Sequence, residues 1–517
     1  MKRFFLFLPV LGLSLTTYSQ VNKFQITYGT TGSDWGKAAP TSDGGYIIIM
    51  NDGTNPSQRD ISIVKLDSIG NITWSKTYGN PANTDDAWIR VIEAHNGGFL
   101  VAGSLDALSP NPVPVWIRID SGGDTVWVKR NLFSSFNIVK TLDGGYAAVG
   151  TNFIKTDSSG NIQWSKIYNG GCCSGYGQQT ADSGYIILDL TMQYASGGPL
   201  DRDLRLVKTD PAGNVQWIKV FGRPSTLENP AKVVQTTDGG YLVLANTGLS
   251  NQPQTYDLML IKTDGSGNLQ WAKNYGGSDY EQGIDLKVTG AIGYIVTGYT
   301  IGFEGPQQNS NRSFLMRTDG SGTPVWTKMY GDFATNPINS YDEAAYVAYT
   351  NDGGFLMSGT TESFGSGSRD VWLVKTDPIG TSGCNEIVNN PAVTLPSLSL
   401  SSGGYDSVVY YTSSPHTVAI GTWMPVKTIL CLNGSLNGQN EYTNAGSLPP
   451  YPNPNTGIFS LKADNGKLEI YNSLGKIIYQ TEITGLEEID IQNVSNGIYI
   501  LKLTEGNQMY FWKMIIH

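Results

Sequence analysis

A glycine followed by an aromatic residue recurs seven times along the chain: Gly45-Tyr46, Gly98-Phe99, Gly145-Tyr146, Gly184-Tyr185, Gly240-Tyr241, Gly293-Tyr294 and Gly354-Phe355. From 45 to 354 there are six intervals, a mean period of about 51 residues. A short apolar run follows each, as at Tyr46–Met50 and Tyr294–Gly298. A second motif follows in every repeat: two apolar residues, a basic residue, any residue, then Asp-x-x-Gly. Its pairs are Asp67–Gly70, Asp120–Gly123, Asp157–Gly160, Asp210–Gly213, Asp264–Gly267, Asp319–Gly322 and Asp377–Gly380. In six repeats a Trp stands four residues after that Gly: Trp74, Trp127, Trp164, Trp217, Trp271 and Trp326. Two hairpins make four strands, and a four-stranded repeat of roughly 40–50 residues is the unit of a β-propeller.

The Asp-x-x-Gly hairpin fits a type I turn closed by a left-handed glycine. Its expected pairing sets Val64, Ile117, Ile154, Val207, Ile261 and Met316 opposite the Trp. The residues one step earlier, such as Ile63, Trp116 and Phe153, are apolar too. A strand apolar on both faces is one buried between layers, as stacked blades require. The seventh repeat lacks its Trp strand. Phe24 to Gly29 matches Trp74 to Gly79, with the aromatics four apart in both, so the N-terminal strand is expected to complete the last blade. The fold expected is all-β: a seven-bladed β-propeller over 20–380 closed by the N-terminal strand, plus a small C-terminal β-sandwich.

Composition narrows the function. Gly is 62 of 517 residues and charged residues are 15%, a turn-rich β composition. A net charge of −10 opposes nucleic-acid binding. Three histidines, His95, His416 and His517, leave little for His-based catalysis. Residues 1–19 read as a secretory signal peptide: Lys2-Arg3, an apolar run from Phe4 to Leu15, then Thr17-Tyr18-Ser19. No later run of about 18 apolar residues suggests a membrane span. Export puts the four cysteines in an oxidising compartment. Cys384 and Cys431 are read as a disulfide; for the adjacent Cys172-Cys173, placed in a loop between blades, a vicinal disulfide, free thiols and a bond to a partner are all open.

Residues 381–450 are Ser/Asn/Gly-rich and read as a linker. From Tyr451 alternating strands return. Pro452-Asn453-Pro454 with Gly457, then Tyr471 and Gly475, then Gly497-x-Tyr499 and Lys502, closely resembles the type A C-terminal sorting domain of the type IX secretion system of Bacteroidota. The resemblance covers 451–517 and implies passage across the outer membrane with the secretion machinery as partner, removal of this domain, and release or surface attachment. The repeats resemble bacterial surface propeller repeats of many roles.

No catalytic motif stands out. The Asp-x-x-Gly turns differ from the Ser-x-Asp-x-Gly-x-x-Trp box of sialidase-type propellers in the place of both Gly and Trp, and read as structural. Calcium there finds little support, one carboxylate per turn falling short of its ~6–8 oxygens; no cofactor is expected. Asp85-Asp86, Asp201-Arg202-Asp203 and Asp342-Glu343 could supply paired carboxylates, but turns and solvated loops are the plainer reading. The repeated Lys and Arg before each Asp are expected to cover rings or pair with turn acids. The loops that vary among repeats join the second and third strands, and one blade to the next; both emerge on one face. Blades 4 and 6 carry the longest, offering Tyr194, Asp201, Arg202 and Asp203, and Phe303, Glu304, Gln307, Gln308 and Arg312, as candidate contacts for a glycan or protein. The expectation is a secreted or cell-surface binding or adhesion protein; a carbohydrate-active or other hydrolytic enzyme using loop carboxylates, and a structural surface component, are the alternatives.

Overall fold

A computed structural model describes residues 22–516 apart from short stretches, those of four or more being 52–60, 80–86, 106–112, 133–136, 193–201, 250–255, 302–309, 334–339, 402–405, 408–413, 422–425, 437–457 and 473–476. The described chain is built of strands without a helix. It divides into two units, Met1–Gln439 and Asn440–His517. The signal-like segment 1–19 lies outside the described residues.

Each repeat forms one antiparallel sheet. In blade 1 the strands are Trp35–Pro40, Tyr46–Asn51, Ile61–Leu66 and Ile72–Gly79, hydrogen-bonded in that order. Blade 7 takes Glu343–Tyr349, Phe355–Thr361 and Asp370–Thr376, and its fourth strand is Phe24–Gly29, with Phe24 opposite Lys375 and Tyr28 opposite Val371. Alternation along each strand feeds two interfaces. Ile48, Met50 and Val64 pack with Phe24, Ile26 and Tyr28 of blade 7. Ile47, Ile49 and Ile63 pack with Val101 and Ile117 of blade 2. Five further apolar clusters join the remaining neighbours, so the seven blades close on themselves.

The two turns of each blade have separate tasks. Asp67 accepts the N–H groups of Ile69 and Asn71 at 3.0 and 2.8 Å and orders its hairpin. The closing glycine of such a hairpin has φ near +80°, and a Cβ on Gly123 or Gly213 would come within about 3 Å of Trp74 or Trp164 of the preceding blade. Tyr78 and Tyr168 donate to the carbonyls of the same two glycines at 2.6 and 2.8 Å. The motif therefore sets the seam between blades. At the other turn, Asp143 lies 2.8 Å from the Lys155 ammonium, and Asp43–Lys65, Asp182–Lys208, Asp238–Lys262 and Asp352–Lys375 repeat the pair.

The expected Trp register is off by one. Trp74 opposes Lys65, and Val64 opposes Ser75. All six Trp strands share the shift, placing each Trp opposite Lys or Arg. A bulge between Lys65 and Leu66 adds a residue beside the turn.

The segment 381–450 departs most from its expected linker role. After blade 7 the chain turns back and adds a fifth strand to every blade in reverse order: Glu386–Val388 on blade 6, Ala392–Thr394 on blade 5, Ser399–Ser401 on blade 4, Asp406–Ser407 on blade 3, Ser414–Pro415 on blade 2, Ala419–Gly421 on blade 1 and Val426–Leu432 on blade 7. This belt covers the outer strands, including Phe24–Gly29, which becomes fourth in a six-stranded sheet rather than outermost, Ser435–Leu436 pairing beyond Val426–Leu432. A Cys384–Cys431 disulfide joins the belt's two ends, 47 residues apart in sequence. Strands of two or three residues pair through their backbone and carry no hydrophobic period, so composition reads them as linker.

In the second unit the strands Ile458–Tyr471, Ile477–Asp490, Gly497–Glu505 and Gln508–Ile516 form one sheet, the first lying between the second and third. A bulge between Ala463 and Gly466 shifts the inward set from Phe459, Leu461 and Ala463 to Leu468 and Ile470. Both sets share a core with Leu501 and Leu503. The small sandwich is thus a single sheet bent over its own core.

Candidate functional site

The variable face carries acids whose oxygens are taken up by the fold. Asp342 is buried, accepts from Thr361 Oγ1 at 2.6 Å and Ser363 Oγ at 2.8 Å, and is pushed above the usual carboxylate range by burial against those bonds. Asp189 meets Arg205 through two bonds, Nε to Oδ1 at 2.8 Å and Nη2 to Oδ2 at 2.7 Å. Asp34 accepts from Thr30 N–H and Oγ1 at 2.6 and 2.9 Å. Glu281 accepts from Gly277 N–H at 2.8 Å and Thr300 Oγ1 at 3.0 Å. Glu343 and Glu362 both face the Arg369 guanidinium, and Glu343 also accepts from Asn311 at 2.8 Å. Among the described residues no group of three His, Cys, Asp or Glu converges.

Aromatic rings lie beside them. Tyr256, Tyr280 and Tyr299, at strand ends of blades 5 and 6, form a row: Tyr256 and Tyr280 meet edge to face at 5.6 Å, and Tyr280 stacks on Tyr299 at 6.0 Å and 21°. Both phenols of the stack donate to Gln282 Oε1, Tyr280 at 2.8 Å. That leaves the Gln282 amide N–H donors for another acceptor. Burial raises the Tyr280 and Tyr299 phenols, so both remain protonated donors. Farther around, Trp35 (43% exposed) and Tyr341 (38%) flank Arg369, whose guanidinium carbon is 3.8 Å from the Trp35 ring centre.

Of the candidates read from sequence, Asp203 is buried at the start of the third strand of blade 4, where a Cβ on Gly222 would strike it. Arg202 forms a backbone bridge with Leu227 of blade 5. Arg312 is buried; its Nη1 donates to Ser340 Oγ at 2.8 Å and lies 3.6 Å from Asp342. Tyr194, Asp201, Phe303, Glu304, Gln307 and Gln308 lie outside the described residues, as do Asp85 and Asp86. Cys172 opens the inner strand of blade 4, rather than sitting in a loop. His95 contacts the Gly145 carbonyl at 3.1 Å and the Tyr146 ring. The tyrosine row went unread because its members come from three motifs of adjoining repeats; the signal available was Tyr at strand ends near the variable loops.

In the second unit, Lys502 and Lys467 meet Glu469 at 3.1 and 2.9 Å, and Tyr471 donates to it at 2.9 Å. Tyr499 is buried and donates to the Ser495 carbonyl at 2.6 Å. Gly497 starts its strand, while Pro452, Asn453, Pro454 and Gly457 lie outside the described residues. No described helix is long and apolar enough to cross a membrane.

A regulatory protein of Caulobacter vibrioides, FlaEY, is 29% identical over 192 residues, covering 33% of this chain and 19% of that protein. The chain thus spans about a fifth of that curated relative. Among solved structures, a eukaryotic initiation factor has a TM-score of 0.34 at 8% identity, over 70% of this chain and 99% of that one. An α-L-arabinanase of Penicillium chrysogenum, solved with arabinobiose, has the same TM-score at 9% identity, over 69% and 98%. Residues 450–517 match the secretion system C-terminal sorting domain, and with that tail the chain is a type IX secretion cargo, a secreted or outer-surface protein from which the tail is removed.

Proposed function

We propose that this exported propeller is a binding protein without catalysis, using its variable face to hold an extracellular glycan or protein. The observation that carries this reading is the pairing of engaged acids with half-exposed aromatics. Glycosidases need two carboxylates flanking the scissile bond at about 5–10 Å with oxygens available to proton or sugar. On this face Asp189, Asp342, Asp34 and Glu281 serve Arg, Thr, Ser and backbone N–H groups instead. The Tyr280–Tyr299 stack with the Gln282 amide suits a ligand that stacks and accepts hydrogen bonds. Residues 1–19 would begin the export route that the tail completes.

The test is a glycan and protein array probed with the secreted protein and with a Tyr280→Ala/Tyr299→Ala variant. Binding lost in the variant at unchanged melting temperature supports the proposal. Equal binding moves the site elsewhere, and release of reducing sugar from any bound glycan would replace binding with hydrolysis.

A further inference from the structure

Where blade 7 meets blade 1, the variable face puts aromatic rings outside and charge inside. Arg369, directly before the third strand of blade 7, is 8% exposed, while the two rings beside it, Trp35 and Tyr341, are 43% and 38% exposed. The guanidinium carbon is 3.8 Å from the Trp35 ring centre and 5.8 Å from that of Tyr341. Folding alone favours the reverse, with rings in the core and a guanidinium in water. Trp35 is the most exposed tryptophan among the described side chains.

The rings are fixed by what lies beneath them. Arg369 donates through Nε to Glu362 Oε1 at 2.9 Å and through Nη2 to the same oxygen, and its Nη1 is 3.7 Å from Glu343 Oε2. Backbone bonds pin both ring-bearing segments: Asp34 N–H donates to the Arg369 carbonyl at 2.7 Å, and Glu362 N–H to the Tyr341 carbonyl at 3.1 Å. With the guanidinium on one face of Trp35, the exposed surface of that ring is its opposite face and edge. Rings held in one pose before anything binds lower the ordering cost of binding.

The acids decide what suits this surface. Two carboxylates stand against one guanidinium, in a chain of net charge −10, so an anionic ligand is repelled. Glu362 takes both guanidinium bonds on Oε1, which leaves its Oε2, on a side chain 25% exposed, to accept a hydroxyl. An open ring face beside a carboxylate acceptor fits an uncharged sugar, whose C–H face stacks and whose hydroxyls donate. The surface continues into blade 6. Glu343 accepts from Asn311 Nδ2 at 2.8 Å, Asn311 forms a backbone bridge with Tyr341, and two residues on, Ser313 is the strand partner of Tyr299.

We propose that Trp35, Tyr341 and Glu362 form a second subsite of the variable face, which takes an uncharged sugar unit, so that with the Tyr280–Tyr299 stack the face grips a neutral glycan chain. This rests on the reading of that face as a binding platform, narrows its ligand from glycan or protein to neutral glycan, and uses different residues.

The experiment titrates the secreted protein with neutral hexasaccharides of glucose, mannose and xylose, and with hexagalacturonate as the acidic counterpart, following heat and tryptophan fluorescence. A neutral hexasaccharide should bind with heat and a fluorescence change, and hexagalacturonate more weakly. Trp35→Ala and Tyr341→Ala should each weaken binding roughly tenfold, the loss that follows truncation of an aromatic anchor. Trp35→Phe keeps a stacking ring, so affinity should stay within about threefold of the parent while the fluorescence change disappears, a pattern that a merely structural tryptophan does not give. Melting temperatures accompany every variant, and if Trp35→Ala unfolds, Tyr341→Ala and Trp35→Phe carry the test. The Tyr280→Ala/Tyr299→Ala variant tells the two sites apart. Binding lost there but intact in Trp35→Ala and Tyr341→Ala overturns the subsite and keeps the stack; the opposite result keeps the subsite and removes the stack. No neutral probe bound, tighter binding of hexagalacturonate, or a fluorescence change that survives in Trp35→Phe would overturn the proposal.

Discussion

A lysine buried beneath a hairpin turn recurs in five blades, and its partner is always the Asp two residues before the glycine-aromatic pair. The two blades that lack this Asp, with Asn96 and Ala291 in its place, carry Arg118 and Arg317 instead of Lys. Arg118 then donates to the Gly97 and Ile119 carbonyls, which the planar guanidinium can reach without a carboxylate. Burial opposes the charged form of Asp43, Asp143 and Asp238, but bonds from the lysine, the turn threonine and the glycine N–H outweigh it and bring each to about 2. A folded-state pKa below the unfolded value stabilises above the unfolded one and loses that contribution as pH falls through the folded one. Acid titration should therefore lower the melting temperature between about pH 4 and pH 2. These carboxylates are half exposed, so screening limits each pair to below about 1 kcal/mol. Asp238→Ala should cost more, about 1–3 kcal/mol, since it strands the buried Lys262 ammonium. Adding Lys262→Met should recover part of that loss in denaturant unfolding, and a double mutant as unstable as the single would refute the pair.

The belt shows where legibility ended among the elements. Strands such as Tyr46–Asn51 announce themselves because both faces are apolar. Ala392–Thr394 is exposed throughout and held to Asn274–Gly276 by backbone bonds alone, which no side-chain pattern records. The disulfide ends were legible from export and cysteine count, but not what they enclose. The Trp register slipped for a related reason, since a bulge is a backbone event. Gln25, buried in the N-terminal strand, donates to Ser382 Oγ at 2.9 Å and to the Cys384 carbonyl at 2.5 Å, so velcro strand and belt lock at one point. Opening the disulfide frees a loop of 47 residues in the unfolded chain, a loss of about 4 kcal/mol on the loop-entropy model. Cys384→Ala/Cys431→Ala should show that loss in denaturant midpoint. Limited proteolysis of the variant should cut within 390–425 before any blade strand, and equal resistance of the two proteins would mean that the belt holds without its clasp.

For the molecule as a whole, closure and export are separable. Phe24, Ile26 and Tyr28 are fully buried between blade 7 and blade 1. Burying three such side chains stabilises by several kcal/mol, at ~1.5–3 kcal/mol each. Removing 22–29 should expose Asp370–Thr376 on one side and Val426–Leu432 on the other, and lower the melting temperature sharply; an unchanged value would refute closure by this strand. The tail should behave in the opposite way. Its core of Phe459, Leu461, Ile470, Leu501 and Leu503 contains no propeller residue, and the chain divides at Gln439. The two disulfide cysteines, Cys384 and Cys431, remain in the first unit. A chain ending at residue 439 should therefore melt within a few degrees of the parent and form its disulfide, yet accumulate in the periplasm, since the sorting domain is what the secretion machinery reads. Cell fractionation of the producing bacterium separates the outcomes. A truncated protein that unfolds would make the tail a structural part of the propeller, and one that reaches the surface would place the export signal outside residues 450–517.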